Sequence, residues 1–279
     1  MHRPIGALVS QPVMAVEGET PALEALQLMN ARRISRVVVL ENAEPAGILT
    51  EQDVAFAANW VVGQPSLRVR EVIGKPILTA PAELSVKEAY QLFRENDVRH
   101  LVVLGEQMEM AGILTPTDVA RVLKSTIYLG IPDVAKLMFR NVLRVPPGVS
   151  ARQALALMAS HALSGVVVVE DDRPVGVFTE HDAIRLVVAG NDPAMLSVGA
   201  VMTTPVITVP ATASPVLAID LMHDHAVRQL VVVNEMGILV GILTQTGLGR
   251  VLEYQNPTPS DVGATRGDGF SPEQNLTLH

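Results

Sequence analysis

A short apolar segment that ends in threonine recurs four times, and this repeat constrains the fold more than any other feature of the chain. The copies lie at offsets of 65, 64 and 65 residues, and they are Ala46–Thr50, Ala111–Thr115, Val175–Thr179 and Val240–Thr244. A fixed period of this kind indicates an array of similar units rather than one large core. Four units are therefore predicted, at about 5–62, 69–125, 134–190 and 198–254.

Each unit shows the same order of local patterns. A short apolar run leads to an amphipathic stretch that is opened by a residue typical of helix N-caps, namely Thr20, Ser85, Ser150 or Ser214. Two Val-rich runs joined by a short turn follow, which predicts a β-hairpin covered on both faces because the runs are continuously apolar. A second helix follows the repeated threonine. The predicted fold class is α/β (α+β), built from four β-α-β-β-α units.

The units are expected to pair, because a unit of about 65 residues buries little surface by itself. The joins of units one to two and three to four carry Gly and Pro at matching places, as at Pro65 and Pro193, whereas the join of units two to three differs. This predicts module 1 at residues 1–125 and module 2 at residues 126–254. Residues 255–279 are rich in Pro, Gly, Ser, Thr and Asn and are predicted to form a disordered tail.

The composition excludes several kinds of function. The chain has no Cys, which rules out disulfides, thiolate metal sites and a Cys nucleophile. A net charge of −8 disfavours extended binding to nucleic acid or to an anionic membrane, so a phosphate ligand must meet a local cluster of donors. No apolar run approaches the ~20 residues that span a bilayer, and we expect a cytoplasmic protein.

The repeated threonine opens a Thr-x-x-Asp motif in three of the four units. The motif residues are Thr50 with Asp53, Thr115 with Asp118 and Thr179 with Asp182, whereas unit four has Thr244 with Gly247. One interpretation is a helix cap with an acid in the first turn. The other is a polar edge suited to a nucleotide, where helix N–H groups and the hydroxyl receive phosphate and the carboxylate accepts hydrogen bonds from ribose. The two interpretations are compatible.

Tandem β-α-β-β-α units with a Gly-h-h-Thr-x-x-Asp signature, where h is apolar, resemble CBS domains over residues 5–253. The resemblance implies that units pair through their sheets into modules, two of which could form a flat disc within one chain. It also implies regulation by an adenosine ligand bound between paired units, such as AMP, ADP, ATP, S-adenosylmethionine or a cyclic dinucleotide. In similar proteins the motif Asp holds the ribose diol and the Thr lies near the phosphates. Since aromatic residues make up 3% of the chain, adenine should meet aliphatic walls.

The resemblance assigns ligand contacts unequally among the units. Unit two is the most complete, because Thr79 on its first strand and Arg99 with His100 before its hairpin accompany Thr115 and Asp118. The residues assigned elsewhere are Thr50, Asp53 and Arg36 in unit one, Thr179 and Asp182 in unit three, and Thr208, Thr244 and Arg228 in unit four. Unit three has Arg144 in place of the strand threonine and Ser164-Gly165 in place of the basic pair, and unit four lacks the carboxylate.

The chain is therefore expected to be a regulatory protein that senses an adenine nucleotide and passes a conformational change to an effector protein of unknown identity. Its self-association is left open. We expect no catalytic residue, catalytic cofactor or metal; His181 is expected to face solvent, and His223 and His225 lie on different faces of a predicted helix. One alternative is a scaffold or dimerisation module with empty clefts. Another is an enzyme whose catalytic residues lie outside the family pattern.

Overall fold

The structure is a computed structural model that describes residues 4–9, 13–51, 53, 66–73, 77–96, 98, 100–116, 118–119, 131–161, 163–225 and 227–249. The predicted tail at 255–279 and Arg99 lie outside the described residues. The described residues form four three-stranded sheets, one in each unit. The predicted mixed fold of repeated small units is confirmed.

The four sheets share one topology, in which the first strand runs parallel to the second and the second runs antiparallel to the third. The strands are β1 (Ala15–Glu17), β2 (Arg36–Glu41), β3 (Glu44–Thr50), β4 (Thr79–Pro81), β5 (Leu101–Leu104), β6 (Met110–Leu114), β7 (Arg144–Val145), β8 (Gly165–Glu170), β9 (Arg173–Thr179), β10 (Thr208–Pro210), β11 (Gln229–Val233) and β12 (Leu239–Thr244). Ala15, Thr79, Arg144 and Thr208 pair with equivalent valines of the second strands, so they occupy one repeated position.

The first long helix of each unit and the second helix of units three and four lie where the sequence pattern places them, whereas the predicted second helices of units one and two lie mostly outside the described residues. They are α1 (Ala22–Arg32), α2 (Val69–Val72), α3 (Val86–Asn96), α4 (Ala151–Ser160), α5 (Glu180–Val188), α6 (Val198–Val201), α7 (Pro215–Asp224) and α8 (Gln245–Gly249). The predicted caps are confirmed at Ser85, Ser150 and Ser214, whose hydroxyls accept from the N–H three residues later at 3.3, 3.2 and 3.2 Å. The predicted cap at Thr20 is wrong. Helix α1 begins after Pro21, whose side chain has no acceptor, and the Ala22 N–H donates to the Leu67 carbonyl at 2.8 Å.

In each pair, the short turn that opens one unit lies against the other unit, so the two units exchange their first turns. The turn that opens each unit donates a backbone hydrogen bond to the partner unit, just before the partner's first long helix. The four bonds are Ile5 N to Leu84 O at 2.9 Å, Val69 N to Thr20 O at 2.9 Å, Val134 N to Ala213 O at 2.8 Å and Val198 N to Val149 O at 2.7 Å. Unit one is thereby joined to unit two, and unit three to unit four, in both directions.

The sheets of paired units also pack face to face. Val38, Val102 and Ile113 form one buried cluster between units one and two, and Val167, Val231 and Leu239 form another between units three and four. The flanking residues of each central strand, such as Val37 and Val39, are buried on the helical side. Both faces of the central strands are therefore covered, as the continuous apolar runs predict.

Units one and three share a single hydrophobic core across the two pairs. Helix α1 packs against helix α5, and Leu26 and Met29 of unit one lie in the same buried cluster as Ile184 and Val187 of unit three. Units two and four have buried clusters of their own. Within the motifs of these two units, Glu51 and His181 are hydrogen-bonded at 3.0 Å.

Candidate functional site

All three Thr-x-x-Asp motifs form a reciprocal helix cap. The Thr N–H and the Thr hydroxyl both donate to Oδ2 of the Asp, at distances of 2.6 to 2.9 Å. The capping interpretation is therefore correct for the described motifs. Because the cap uses Oδ2, a ligand contact at these carboxylates depends mainly on Oδ1.

The three carboxylates differ in what surrounds Oδ1. Asp182 is fully buried, and its Oδ1 accepts from Arg185 Nη2 at 2.7 Å and from Thr203 Oγ1 at 2.9 Å. Asp53 and Asp118 are only partly buried. In the described part of the chain, no donor is hydrogen-bonded to Oδ1 of Asp118. Asp118 thus presents an acceptor oxygen, whereas both oxygens of Asp182 are already bonded.

The fourth motif position is filled by an aromatic side chain from the paired unit. Gly247 keeps half of the cap, since its N–H donates to Thr244 Oγ1 at 3.1 Å. A Cβ atom at Gly247 would lie 2.9 Å from the Leu137 carbonyl oxygen and 3.3 Å from Cε2 of Phe139. The missing carboxylate of unit four therefore has no room, and Phe139 lies in its place.

The opening glycines of the signatures in units one, three and four are explained by packing between paired units. A Cβ atom would lie 2.7 Å from Ile73 at Gly47 and 2.5 Å from Met138 at Gly241, and at Gly176 it would overlap Met202. In each case the crowding side chain belongs to the partner unit. The glycine of the signature thus permits close packing of paired units, while the Thr and Asp of the same signature form the polar edge.

The first-strand positions are also unequal. Thr79 and Thr208 are exposed on β4 and β10. Arg144 takes the same place in unit three and forms an ion pair with Asp172 of the following hairpin at 3.3 Å. A hydroxyl at this position is thus offered by units two and four alone.

Comparison with protein families identifies the repeat. The CBS domain model matches residues 5–59, 69–125, 134–189 and 198–253. The chain is a CBS-domain protein. The structure of protein MJ1225 from Methanocaldococcus jannaschii superimposes with a TM-score of 0.79, at 19% identity, over 89% of this chain and 99% of that one. This likeness confirms the fold of paired CBS units.

Two curated relatives come from the same organism. An uncharacterized protein, MJ1404, is 27% identical over 266 residues, which cover 88% of this chain and 61% of the relative. L-aspartate semialdehyde sulfurtransferase is 30% identical over 142 residues, 50% of this chain. The CBS-domain chain spans only 27% of the sulfurtransferase. Other parts of these relatives have no counterpart in the match.

The Arg36 guanidinium of CBS unit one is within range of the negative charge of the Asp118 carboxylate in CBS unit two. Arg36 opens β2, opposite Thr50. Burial lowers the pKa of Arg36, while the negative charge of Asp118 acts to raise it, Arg228 lowers it further and Glu51 raises it. No residue that the structure describes makes a hydrogen bond or ion pair with Arg36. A partly buried guanidinium with a carboxylate nearby and no bonded partner is suited to receive an anion.

The other predicted basic residues have different surroundings. His100 directly precedes β5 and is partly buried. The hairpins of units three and four begin instead with Gly165 and Gln229, opposite Thr179 and Thr244. Arg228 donates to the Glu51 carboxylate. Arg36 therefore differs from Arg228, because no described residue is bonded to the Arg36 guanidinium.

Glu51, which the sequence analysis did not single out, joins three CBS units. It is 3% exposed, hydrogen-bonds to Nδ1 of His181 in unit three at 3.0 Å, and accepts from Arg228 of unit four. Burial acts to raise the pKa of Glu51, but the hydrogen bonds from His181 and Arg228 outweigh it and the pKa is lowered. His181, expected to face solvent, is partly buried in this contact. The one sequence signal was that Glu180 repeats the position of Glu51 in unit three.

The described residues contain neither a metal-binding cluster nor a membrane-spanning helix. Among these residues, no group of three or more His, Asp or Glu side chains is arranged to hold a metal ion. None of the helices described here combines the length and the apolar composition that crossing a bilayer requires.

Proposed function

We propose that this CBS-domain protein is a regulatory sensor of an adenine nucleotide of the AMP, ADP or ATP type, bound between paired CBS units. One observation carries the proposal. The Asp118 carboxylate of unit two, with Oδ1 available, lies close enough to the unbonded Arg36 guanidinium of unit one for their charges to interact. Unit two thus supplies a hydrogen-bond acceptor for ribose, and its paired unit one supplies a hydrogen-bond donor for phosphate.

The chemistry of the Asp118 cleft fits each part of such a ligand. A carboxylate oxygen accepts hydrogen bonds from both ribose hydroxyls, and a guanidinium binds phosphate oxygens. We assign Thr79, Thr115 and His100 to the same cleft, with Arg99 beside His100 in sequence. The aliphatic side chains of the paired sheets supply the walls for adenine, since only 3% of the residues are aromatic.

The ligand acts through the arrangement of the two predicted modules. A ligand shifts a conformational equilibrium only by binding one arrangement more tightly than the other. Two contacts support a path from module 1 to module 2: the core that units one and three share, and the Glu51 carboxylate with its partners in units three and four. The proposed role is regulatory rather than catalytic, with an effector protein as the receiver of the change.

Calorimetric titration with ATP, ADP and AMP tests the proposal. Loss of a hydrogen bond to a charged group weakens binding on the order of 10- to 100-fold, which is the effect expected for Asp118→Asn. The matched control is Asp224→Asn, which removes an exposed carboxylate at the end of α7 and should leave affinity unchanged. Unchanged affinity in Asp118→Asn would reject the assignment of the ribose contact.

Two observations bear on the alternatives to this function. The closed fourth position at Gly247 favours a scaffold with empty clefts, and a wild-type chain that binds none of the three nucleotides, nor S-adenosylmethionine, nor a cyclic dinucleotide would support that role. The unbonded Arg36 favours a ligand with an anionic group, which is the phosphate in a nucleotide or cyclic dinucleotide and the carboxylate in S-adenosylmethionine. Titration with S-adenosylmethionine and with a cyclic dinucleotide separates these ligands, and chromatography of added ATP detects any hydrolysis.

A further inference from the structure

The two modules differ at the positions on which nucleotide binding depends. We propose that the nucleotide binds in module 1 alone, in the clefts of Asp53 and Asp118, and that side chains of module 2 close both of its own clefts. This inference rests on the proposed function and assigns the residues that restrict it. Phe139 and Thr203 are the closing residues.

Phe139 is fixed in place over the fourth cleft by its backbone. Its N–H donates to the Ile242 carbonyl at 2.8 Å, and the Ile242 N–H donates to the Phe139 carbonyl at 2.9 Å. These two bonds attach Phe139 to the strand that leads to Gly247. The ring contacts the position where a carboxylate would begin, so a ligand would have to displace both the ring and the bridge.

Thr203 occupies the equivalent position in the third cleft. Its backbone forms the same two-bond bridge with Val177, at 2.8 and 3.1 Å, as Phe139 forms with Ile242. Its hydroxyl donates to Oδ1 of Asp182 at 2.9 Å. A residue just before the partner's first strand therefore faces the motif in each module 2 cleft, and each residue fills that space.

The Asp182 carboxylate has no acceptor left for ribose. Oδ2 is used by the cap and Oδ1 by Arg185 and Thr203, and the side chain is fully buried. A hollow of about 290 Å³ lies beside it, lined in part by Arg185, Asn191 and Met202. Arg185 is also bonded to the Val201 carbonyl at 2.8 Å. The two charged groups of this hollow, Asp182 and Arg185, are thus already bonded to groups of the protein.

Module 2 also lacks the basic side chains that begin the module 1 hairpins. Arg36 and His100 stand at the start of the module 1 hairpins, where module 2 has Gly165 and Gln229. The Gln229 amide nitrogen lies 2.9 Å from the Cβ position of Gly165, so the glutamine takes up the space that a longer side chain would need. Arg228, the remaining cation nearby, is bonded to Glu51.

Photolabelling of the full chain with 8-azido-ATP locates the bound base. After illumination and proteolysis, labelled peptides are expected within residues 1–125, and native mass spectrometry at saturating ATP should show no more than two nucleotides per chain. Labelling of residues 126–254 that excess ATP prevents, or a third bound nucleotide, overturns the inference. Absence of any label or bound ATP, together with no binding of ADP or AMP in the calorimetric titration, rejects the proposed function itself, so the two failures are distinguishable.

A pair of arginine variants provides the matched comparison. Arg36→Gln is expected to weaken ATP binding about 10- to 100-fold through loss of a charged hydrogen-bond donor. Arg185→Gln removes the same charge beside the Asp182 cleft and should leave ATP affinity within about twofold, because that cleft holds no ligand. A tenfold or greater loss in Arg185→Gln, with Arg36→Gln unaffected, would place the nucleotide in module 2. Circular dichroism of both variants verifies that they are folded.

Discussion

The contact between Glu51 and Arg228 predicts that removal of the cation costs more stability than removal of the anion. Glu51 is 3% exposed, whereas the Arg228 side chain is 48% exposed. Arg228→Gln leaves a buried carboxylate with His181 as its remaining bonded partner. Glu51→Gln leaves two basic side chains that water can reach.

The expected magnitudes follow from this difference in burial. Breaking a fully buried ion pair by removing one partner costs about 3–5 kcal/mol. Because His181 still bonds Glu51 and Arg228 is half-exposed, we expect the Arg228→Gln variant to lose about 2–3 kcal/mol in free energy of unfolding. Glu51→Gln loses charge-assisted bonds but leaves no buried charge, and we expect a loss of about 1 kcal/mol.

Urea denaturation at pH 7, followed by circular dichroism, measures both losses. Arg152→Gln is the control, because it breaks an exposed ion pair with Asp192 at 3.0 Å and should leave the unfolding free energy nearly unchanged. If Glu51→Gln proves as destabilising as Arg228→Gln, or more so, the argument from the burial of Glu51 is refuted.

Two further predictions concern acid stability and pairing. The lowered pKa of Glu51 contributes stability that is fully present above the pKa of about 4.3 in the unfolded chain and is lost as the pH falls through the folded pKa. The difference in unfolding free energy between wild type and Glu51→Gln should therefore narrow below about pH 4. A gap that stays constant down to pH 2 would contradict this assignment. Gly241→Ala should cost about 1–3 kcal/mol, because its Cβ would lie 2.5 Å from Met138 Sδ and 3.0 Å from the Phe139 carbonyl. Gly148→Ala, with nothing within 4 Å, is its matched control in the same thermal denaturation, and equal melting temperatures would contradict the packing role.

The local structure of each unit could be predicted because it depends on neighbours in sequence. The caps at Ser85, Ser150 and Ser214 use groups three residues away, and the hairpins follow from β-branched runs. The cap at Thr20 failed because the residue before the first helical residue is Pro21, which has no side-chain acceptor, so α1 begins one residue later than the pattern indicates.

The candidate site was predicted only in part, for the same physical reason. The repeat aligns the motif residues, so the sequence alone distinguishes Asp118 and Asp182 from Gly247. Their surroundings come from other units: Thr203 is 21 residues from Asp182, and Glu51 meets His181 and Arg228 across 130 and 177 residues. The side chains that close or connect the clefts therefore emerge only when the units are assembled.

The exchanged first turns have a consequence for synthesis on the ribosome. Unit one cannot complete its backbone hydrogen bonds until Leu67 and Leu84 have left the exit tunnel, since Ala22 and Ile5 donate to their carbonyls. The smallest length of nascent chain that can satisfy itself is thus a pair of units. We expect a nascent chain arrested after one unit to be bound by chaperones or cleaved by proteases. A nascent chain arrested after two units is expected to fold.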